Sequence, residues 1–287
     1  IDVMEEILGK KSERTETLVF YFTDPTCSWC WATEPKIRKL QEEFRGQIRL
    51  IYKMGGLMEK WVGYRDPENN IRRPAQMAPR WADVARQTGM PIDERIWRDD
   101  PPLSTFPACI AFKAAQFQGE KISVRFLRRL REAVFLEGKN TAREEVLFRL
   151  AKETGLNLER FKKDYKEGKA ESAFRHDLED AREQFIIGFP TLLFRGPGGR
   201  EAKLYGYLDY ESYRRAMYDV NSTHVDRFEP KSILSVVKKY EGILLSEATE
   251  MFGLEMSVAE ERLEKLRKEK QVRRVKVGRG DFFWMPA

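Results

Sequence analysis

Histidine, cysteine and long apolar runs are all scarce in this chain of 287 residues. Its two histidines, His176 and His224, stand alone in the sequence. A structural zinc ion takes four ligands in paired spacings. Neither histidine nor the isolated Cys109 completes such a set, so no metal and no other cofactor is expected. His176 lies between Arg175 and Asp177 and reads as a surface side chain. Three cysteines are too few for the disulfide framework of a small secreted domain. No apolar run approaches the ~20 residues that cross a bilayer as a helix, so no membrane partner is expected. Neither an internal repeat nor a low-complexity segment is present.

What is there reads as a charge-rich globular protein. Hydrophobic residues make up 41% and charged residues 34%, with the signs mixed, which excludes a disordered chain. The formal charge of +6 is too mild to point to nucleic acid unless it is concentrated. The chain begins at Ile1, which leaves room for a preceding segment or a removed leader. The low cysteine count favours a cytoplasmic setting, with an extracytoplasmic one after leader removal as the alternative.

Residues 1–16 read as a short helix or arm. The β-branched and aromatic run TLVFYFT, 17–23, predicts a buried strand. Pro25 and Thr26 break it, and a helix follows from Cys27 to Phe44 with Trp31, Ile37, Leu40 and Phe44 on its apolar face. IRLIYKM, 48–54, is a second strand, so the opening is β-α-β with parallel strands. Residues 70–185 carry helix after helix without a strand, several closed by glycine, and form a helical insertion. Strand, turn and strand return in FIIGFPTLLFRGPGGREAKLYGYL, followed by a helix near Tyr210–Tyr218. Residues 221–230 read as a linker. The tail, 231–287, predicts three helices and a hairpin, a winged helix-turn-helix. In it Ser232 opens the first helix, Ser246 caps the second, and Ser257 with Glu260 forms a capping box for the third.

Chemistry concentrates in DPTCSWCWATEP, 24–35. A helix N-terminus carries unpaired N–H groups and about half a positive charge, which stabilises a thiolate placed there. Cys27 is set to be the exposed attacking sulfur, and Cys30, one turn further in, is set to resolve a mixed disulfide. GFPT, 188–191, places Pro190 directly before the returning strand, where a cis proline would leave a shelf for an extended substrate.

Cys-x-x-Cys after the first strand, a helical insertion, then x-Pro-Thr before a hairpin resembles the DsbA family of the thioredoxin fold over residues 17 to about 220. CSWCW…EP, FPACIAFKAAQFQG, FLRRLREAVF and GFPTLLF carry that likeness. The resemblance implies an α/β, thioredoxin-like (DsbA-type) domain at 17–220, with halves at 17–58 and 186–220. It implies thiol–disulfide exchange on protein or peptide thiols, with Cys27, Cys30 and Pro190 as the functional positions. The whole chain, basic tail included, also resembles the DsbA-like adaptor family that presents the regulator Spx to the ClpXP protease, which implies binding without essential redox catalysis. Kappa-type glutathione enzymes resemble this fold as well but usually carry serine at the Cys27 position. Oxidising DsbA members place a histidine between the cysteines. Ser28-Trp29 here implies a less depressed Cys27 and a more reducing couple.

Around this motif, Phe189, Thr191 and Trp29 are candidates for holding substrate, while Trp31 reads as core. Asp24 and Glu34 are candidate proton relays, or solvated helix-end charges. Cys109 is a buried thiol by default and a third redox sulfur as the alternative. Residues 262–279 hold nine Lys or Arg against two Glu. Glu260 and Glu261 stand at the reading end of the third tail helix, which favours protein docking or self-association over nucleic acid.

Overall fold

The computed structural model describes residues 16–62, 71–222, 224–278 and 280–287. The arm expected at 1–16 therefore lies outside the described residues except for Glu16. Strand β1 (Thr17–Thr23) is buried at every position. Its side chains alternate, so Val19 and Tyr21 pack with Ile37 and Leu40 of helix α1 (Ser28–Glu43) and with its C-cap Phe44, while Leu18, Phe20 and Phe22 face Ala181 and Leu193. With apolar side chains on both faces, β1 can only be a central strand. It pairs in parallel with β2 (Ile48–Met54) and antiparallel with β3 (Thr191–Arg195), and β3 pairs with β4 (Glu201–Tyr205). The order β2-β1-β3-β4 unites the β-α-β opening with the later β-β-α half in one sheet.

Between the halves lie α2 (Met77–Thr88), α3 (Ile96–Asp99), α4 (Phe106–Gln116), α5 (Glu120–Phe135), α6 (Glu144–Thr154), α7 (Leu158–Lys166) and α8 (Lys169–Glu183). The short α3 was not anticipated. Small residues let α4 approach its neighbours closely: Ala108, Ala111, Ala114 and Ala115 share a core with Phe126, Leu147 and Phe161. Helix α9 (Tyr210–Val220) follows β4, with Asp209 as its N-cap.

The tail folds as α10 (Ile233–Lys239), β5 (Ile243–Leu244), α11 (Leu245–Phe252), α12 (Met256–Lys268), β6 (Val272–Val277) and β7 (Asp281–Pro286), with strand order β5-β7-β6. Ser232 caps α10 as expected. Ser246 and Ser257 do not act as caps. At α11 the Leu244 amide is taken at 2.8 Å by the Glu247 carboxylate, which makes Leu244 the cap and starts the helix two residues earlier. At α12 the first turn bonds back to the Glu255 carbonyl, so the helix begins at Met256 and Glu260 and Glu261 fall in its second turn.

Buried charge joins the tail to the remainder. Glu247 receives both Arg128 amino groups at 2.8 and 3.0 Å, and Arg38 lies 3.0 Å away. The Arg128 guanidinium stands 4.6 Å above the Trp31 ring. The two arginines hold the Glu247 carboxyl below its ordinary range, against the effect of its burial. Among the described residues no helix is long and apolar enough to cross a membrane.

Candidate functional site

Cys27 is the N-cap of α1, and its Sγ accepts the Cys30 amide at 3.3 Å. The helix starts here because Pro25-Thr26 ends the strand and Asp24 folds the connection: its carboxylate accepts the Thr26 amide at 2.8 Å. The sequence thus places both sulfurs at the helix start, at the C-terminal end of β1. They are less open than expected, since Cys27 is 4% and Cys30 0% exposed.

The second half of the site arrives from 162 residues away, where the Cys27 thiol faces the Phe189 carbonyl at 3.8 Å. The Phe189–Pro190 bond is cis. Three backbone acceptors of this turn are already engaged. The Gly188 carbonyl takes the Thr191 hydroxyl at 2.7 Å, that of Phe189 faces Cys27, and that of Pro190 takes the Gly206 amide at 2.8 Å. Thr191 therefore fixes the turn from beneath, and its buried side chain does not face solvent. Two glycines permit the close packing. A Cβ on Gly55 would fall 2.0 Å from the Phe189 ring, and one on Gly188 would fall 2.9 Å from Tyr205.

The pair titrates as a unit. The sequence sets Cys27 to ionise first, and the surroundings of Cys27 oppose this. Its hydrogen bond to Cys30 pushes Cys27 well above the ordinary thiol range, with burial and the Cys30 charge acting in the same direction. Cys30 moves down despite its burial, through the hydrogen bond from Cys27 and the field of Arg131. Arg131 is wholly buried and holds Glu34 and the Thr23 hydroxyl. It gave no signal in the sequence, because nothing local distinguishes it from the other arginines of α5.

Asp24 and Glu34 are both buried, so the solvated reading of either fails. Glu34 is bound to Arg131. Asp24 accepts the Leu57 amide at 2.8 Å, the Thr105 hydroxyl at 2.7 Å and the Cys109 thiol at 3.4 Å. Burial raises its carboxyl, against these bonds. Cys109 is fully buried, and burial, then Asp24, push its thiol far up. Trp31 is core, stacked on Phe135 at 5.5 Å. Trp29 is half-buried against Tyr207, with ring centroids 5.6 Å apart. Among the described residues no group of three or more His, Cys, Asp or Glu could hold a metal ion.

Next to Cys27 lies a cleft of about 310 Å³, walled by Trp29, Met58, Trp81 and Phe189. Just before the proline turn two large apolar side chains stand out to solvent, Phe185 83% and Ile187 82% exposed. Phe185 terminates α8 in the left-handed region, at φ 52°, where glycine is the usual residue. The Ile186 amide bonds back to the Ala181 carbonyl at 2.9 Å, which directs Ile186 inward and its two neighbours outward. Phe-Ile-Ile at 185–187 has the composition of a strand, but the chain there forms the turn that ends α8.

Comparison with known proteins gives a consistent picture. The thioredoxin family model matches residues 20–215. The ClpXP adapter protein SpxH of Halalkalibacterium halodurans is 32% identical over 276 residues, covering 96% of this chain and 90% of that protein. The ClpXP adapter protein SpxH of Bacillus subtilis is 28% identical over 270 residues, covering 93% and 88%. Among solved structures, the cytosolic disulfide reductase DsbM from Pseudomonas aeruginosa superposes with a TM-score of 0.57 at 23% identity, over 71% of this chain and all of that one. That last likeness concerns the fold.

Proposed function

The chain belongs to the thioredoxin family and, along nearly its whole length, to the SpxH family of ClpXP adapter proteins, and on that premise we propose that it is a protein-binding adaptor. It would hold a regulatory protein of the Spx kind and present it to ClpXP, in a cytoplasmic setting. This reverses the order expected from the cysteine motif, which put exchange first. The observation that carries the reading is the pair of exposed apolar side chains, Phe185 and Ile187, just before the Phe189-Pro190 turn, while Cys27 is itself only 4% exposed. A bulky side chain in left-handed backbone costs about 1–2 kcal/mol, and such a cost persists where it serves a contact. Large apolar side chains held out to solvent suit a protein partner.

The domain reading supports this. Residues 17–220 serve as the thioredoxin-like domain with its insertion, 221–230 as linker and 231–287 as a winged helix. The helix-strand-helix-helix-hairpin order and the strand order β5-β7-β6 favour the last assignment. The basic stretch 262–279 then serves as a second protein-docking or self-association surface.

A second reading, thiol–disulfide exchange on protein or peptide thiols, is favoured by one arrangement: Cys27 at a helix N-cap facing the Phe189-Pro190 turn. In it Cys27 attacks, Cys30 resolves, and Phe189, Pro190 and Trp29 line the substrate path. The test of the adaptor reading is reconstituted proteolysis. Addition of the protein accelerates degradation of an Spx-type regulator by ClpXP. Unchanged degradation at saturating protein would contradict the proposal.

A further inference from the structure

Lys36 lies on α1, two turns beyond Trp29, and is 5% exposed. Among the described residues its ammonium has no hydrogen bond and no ion pair. Its close contact is the face of Tyr207, whose centroid is 3.5 Å from Nζ. The same ring packs against Trp29. Beside Lys36 a notch of about 90 Å³ opens where α1, the end of α2 and α11 meet, lined also by Tyr207, Thr88, Ser246, Thr249 and Glu250. That is room for a carboxylate group with a few waters.

The ammonium opens on this notch, and its three donors, with no acceptor of its own, are available there to a ligand or to water. An aromatic face attracts the charge without accepting those hydrogens as an anion would. The nearby carboxylates have other partners, although Glu250 also lines the notch and its charge acts on Lys36. Glu250 is held by Lys39, whose Nζ lies 3.5 Å from Oε1 and donates to the Glu250 carbonyl at 2.8 Å. Asp209 caps α9 through the Ser212 amide at 2.8 Å. Ser246 is the lining hydroxyl most able to turn, because its partner is the Met90 sulfur at 3.1 Å, a weak acceptor.

We propose that Lys36 and this notch form a binding site for a carboxylate, held between the ammonium and the Ser246 hydroxyl. The ligand is either a small free acid or a carboxylate carried by a protein partner. In both cases it would bridge the thioredoxin-like part and the tail. The site stands apart from the adaptor reading and does not depend on it.

Binding should depend on pH in a defined direction. Burial lowers Lys36 to about 8, and Lys39 acts in the same direction, while Glu250 and Asp209 raise it. Tyr207, the remaining titratable group facing the ammonium, is itself raised by burial and stays neutral there. A bound carboxylate keeps the proton on Lys36, so affinity falls as pH rises through about 8.

The test uses the full chain with ¹⁵N-labelled lysine, following the Lys36 Nζ resonance. The probes are acetate, a short uncharged peptide with a free C-terminal carboxylate, and its amidated twin. The expected result is that acetate or the free-acid peptide shifts the Lys36 signal and moves its titration upward, while the amidated peptide does neither. Binding about tenfold tighter by the free-acid peptide than by acetate identifies a protein carboxylate as the ligand, and equal binding identifies a small acid. Lys36→Gln is expected to weaken binding at least about tenfold. The proposal is overturned if neither probe moves the wild-type Lys36 signal, or if Lys36→Gln binds both as wild type does.

Discussion

The Cys27 thiol points at the Phe189 carbonyl oxygen, 3.8 Å away, and Cys27 Sγ also accepts the Cys30 amide at 3.3 Å. One sulfur therefore ties the helix start to the proline turn. A thiol that donates to a carbonyl is favoured in its protonated form, while the field of Arg131 favours the thiolate of Cys30. Thiolate absorbance followed against pH should show a first step below the usual thiol range near 8.5. That step should vanish in Cys30→Ser. In Cys27→Ala it should move upward, because the donor that favours the Cys30 thiolate is removed. A first step that survives Cys30→Ser would assign it to Cys27 instead.

If the pair does cycle, its couple is expected to be reducing. The residues between the cysteines are Ser28 and Trp29, and neither carries a positive charge that would favour the dithiolate side. Equilibration with glutathione buffers should place the potential below about −120 mV, the value of strongly oxidising DsbA. A potential at or above that would show a source of thiolate stabilisation missing from this account.

Glu247 should dominate the attachment of the tail. It is fully buried and binds Arg128, Arg38 and the Leu244 amide. Glu247→Ala takes the carboxylate from Arg38 and leaves Arg128 with Glu132 and Glu34, and denaturant unfolding should show a loss of about 3–5 kcal/mol. The folded carboxyl is depressed, so its contribution is present above the unfolded value of about 4.3 and is lost as pH falls through the lower folded value. Glu247→Gln should flatten that acid limb. An unchanged acid limb would mean that other carboxylates control it.

Cys109 should be inert in the folded state. It is sealed in α4 with its thiol on Asp24 at 3.4 Å. Pulsed alkylation should modify it only at the rate of global opening. Labelling of Cys109 as fast as Cys27 would revive the third-sulfur reading.

Much of this was legible in the residues. The apolar run 17–23 and the helical spacing of Trp31, Ile37, Leu40 and Phe44 fix the central strand and its crossover helix, because both patterns are local and strong. Cys27 and Pro190 were found for the same reason. What escaped depends on contacts distant in sequence. Arg131, Glu247 and Lys36 look like any other charge in a helix until the fold buries them. Ser246 and Ser257 carried correct cap chemistry, yet a buried carboxylate and a neighbouring backbone carbonyl took the helix starts. The stretch 185–187 read as strand because Phe-Ile-Ile is strand-like. The left-handed turn that splits it follows from how α8 ends against the sheet.

The exposed pair Phe185 and Ile187 carries the central claim, and partner affinity measured on two variants tests it most directly. Phe185→Gly suits the backbone at φ 52° and should raise stability by about 1 kcal/mol. The same change should weaken binding of the Spx-type regulator at least about tenfold. Cys27→Ser/Cys30→Ser should bind within about threefold of wild type, a difference under 1 kcal/mol. Lost binding in the cysteine variant, with full binding in Phe185→Gly, would contradict the adaptor account and return the function to the sulfurs.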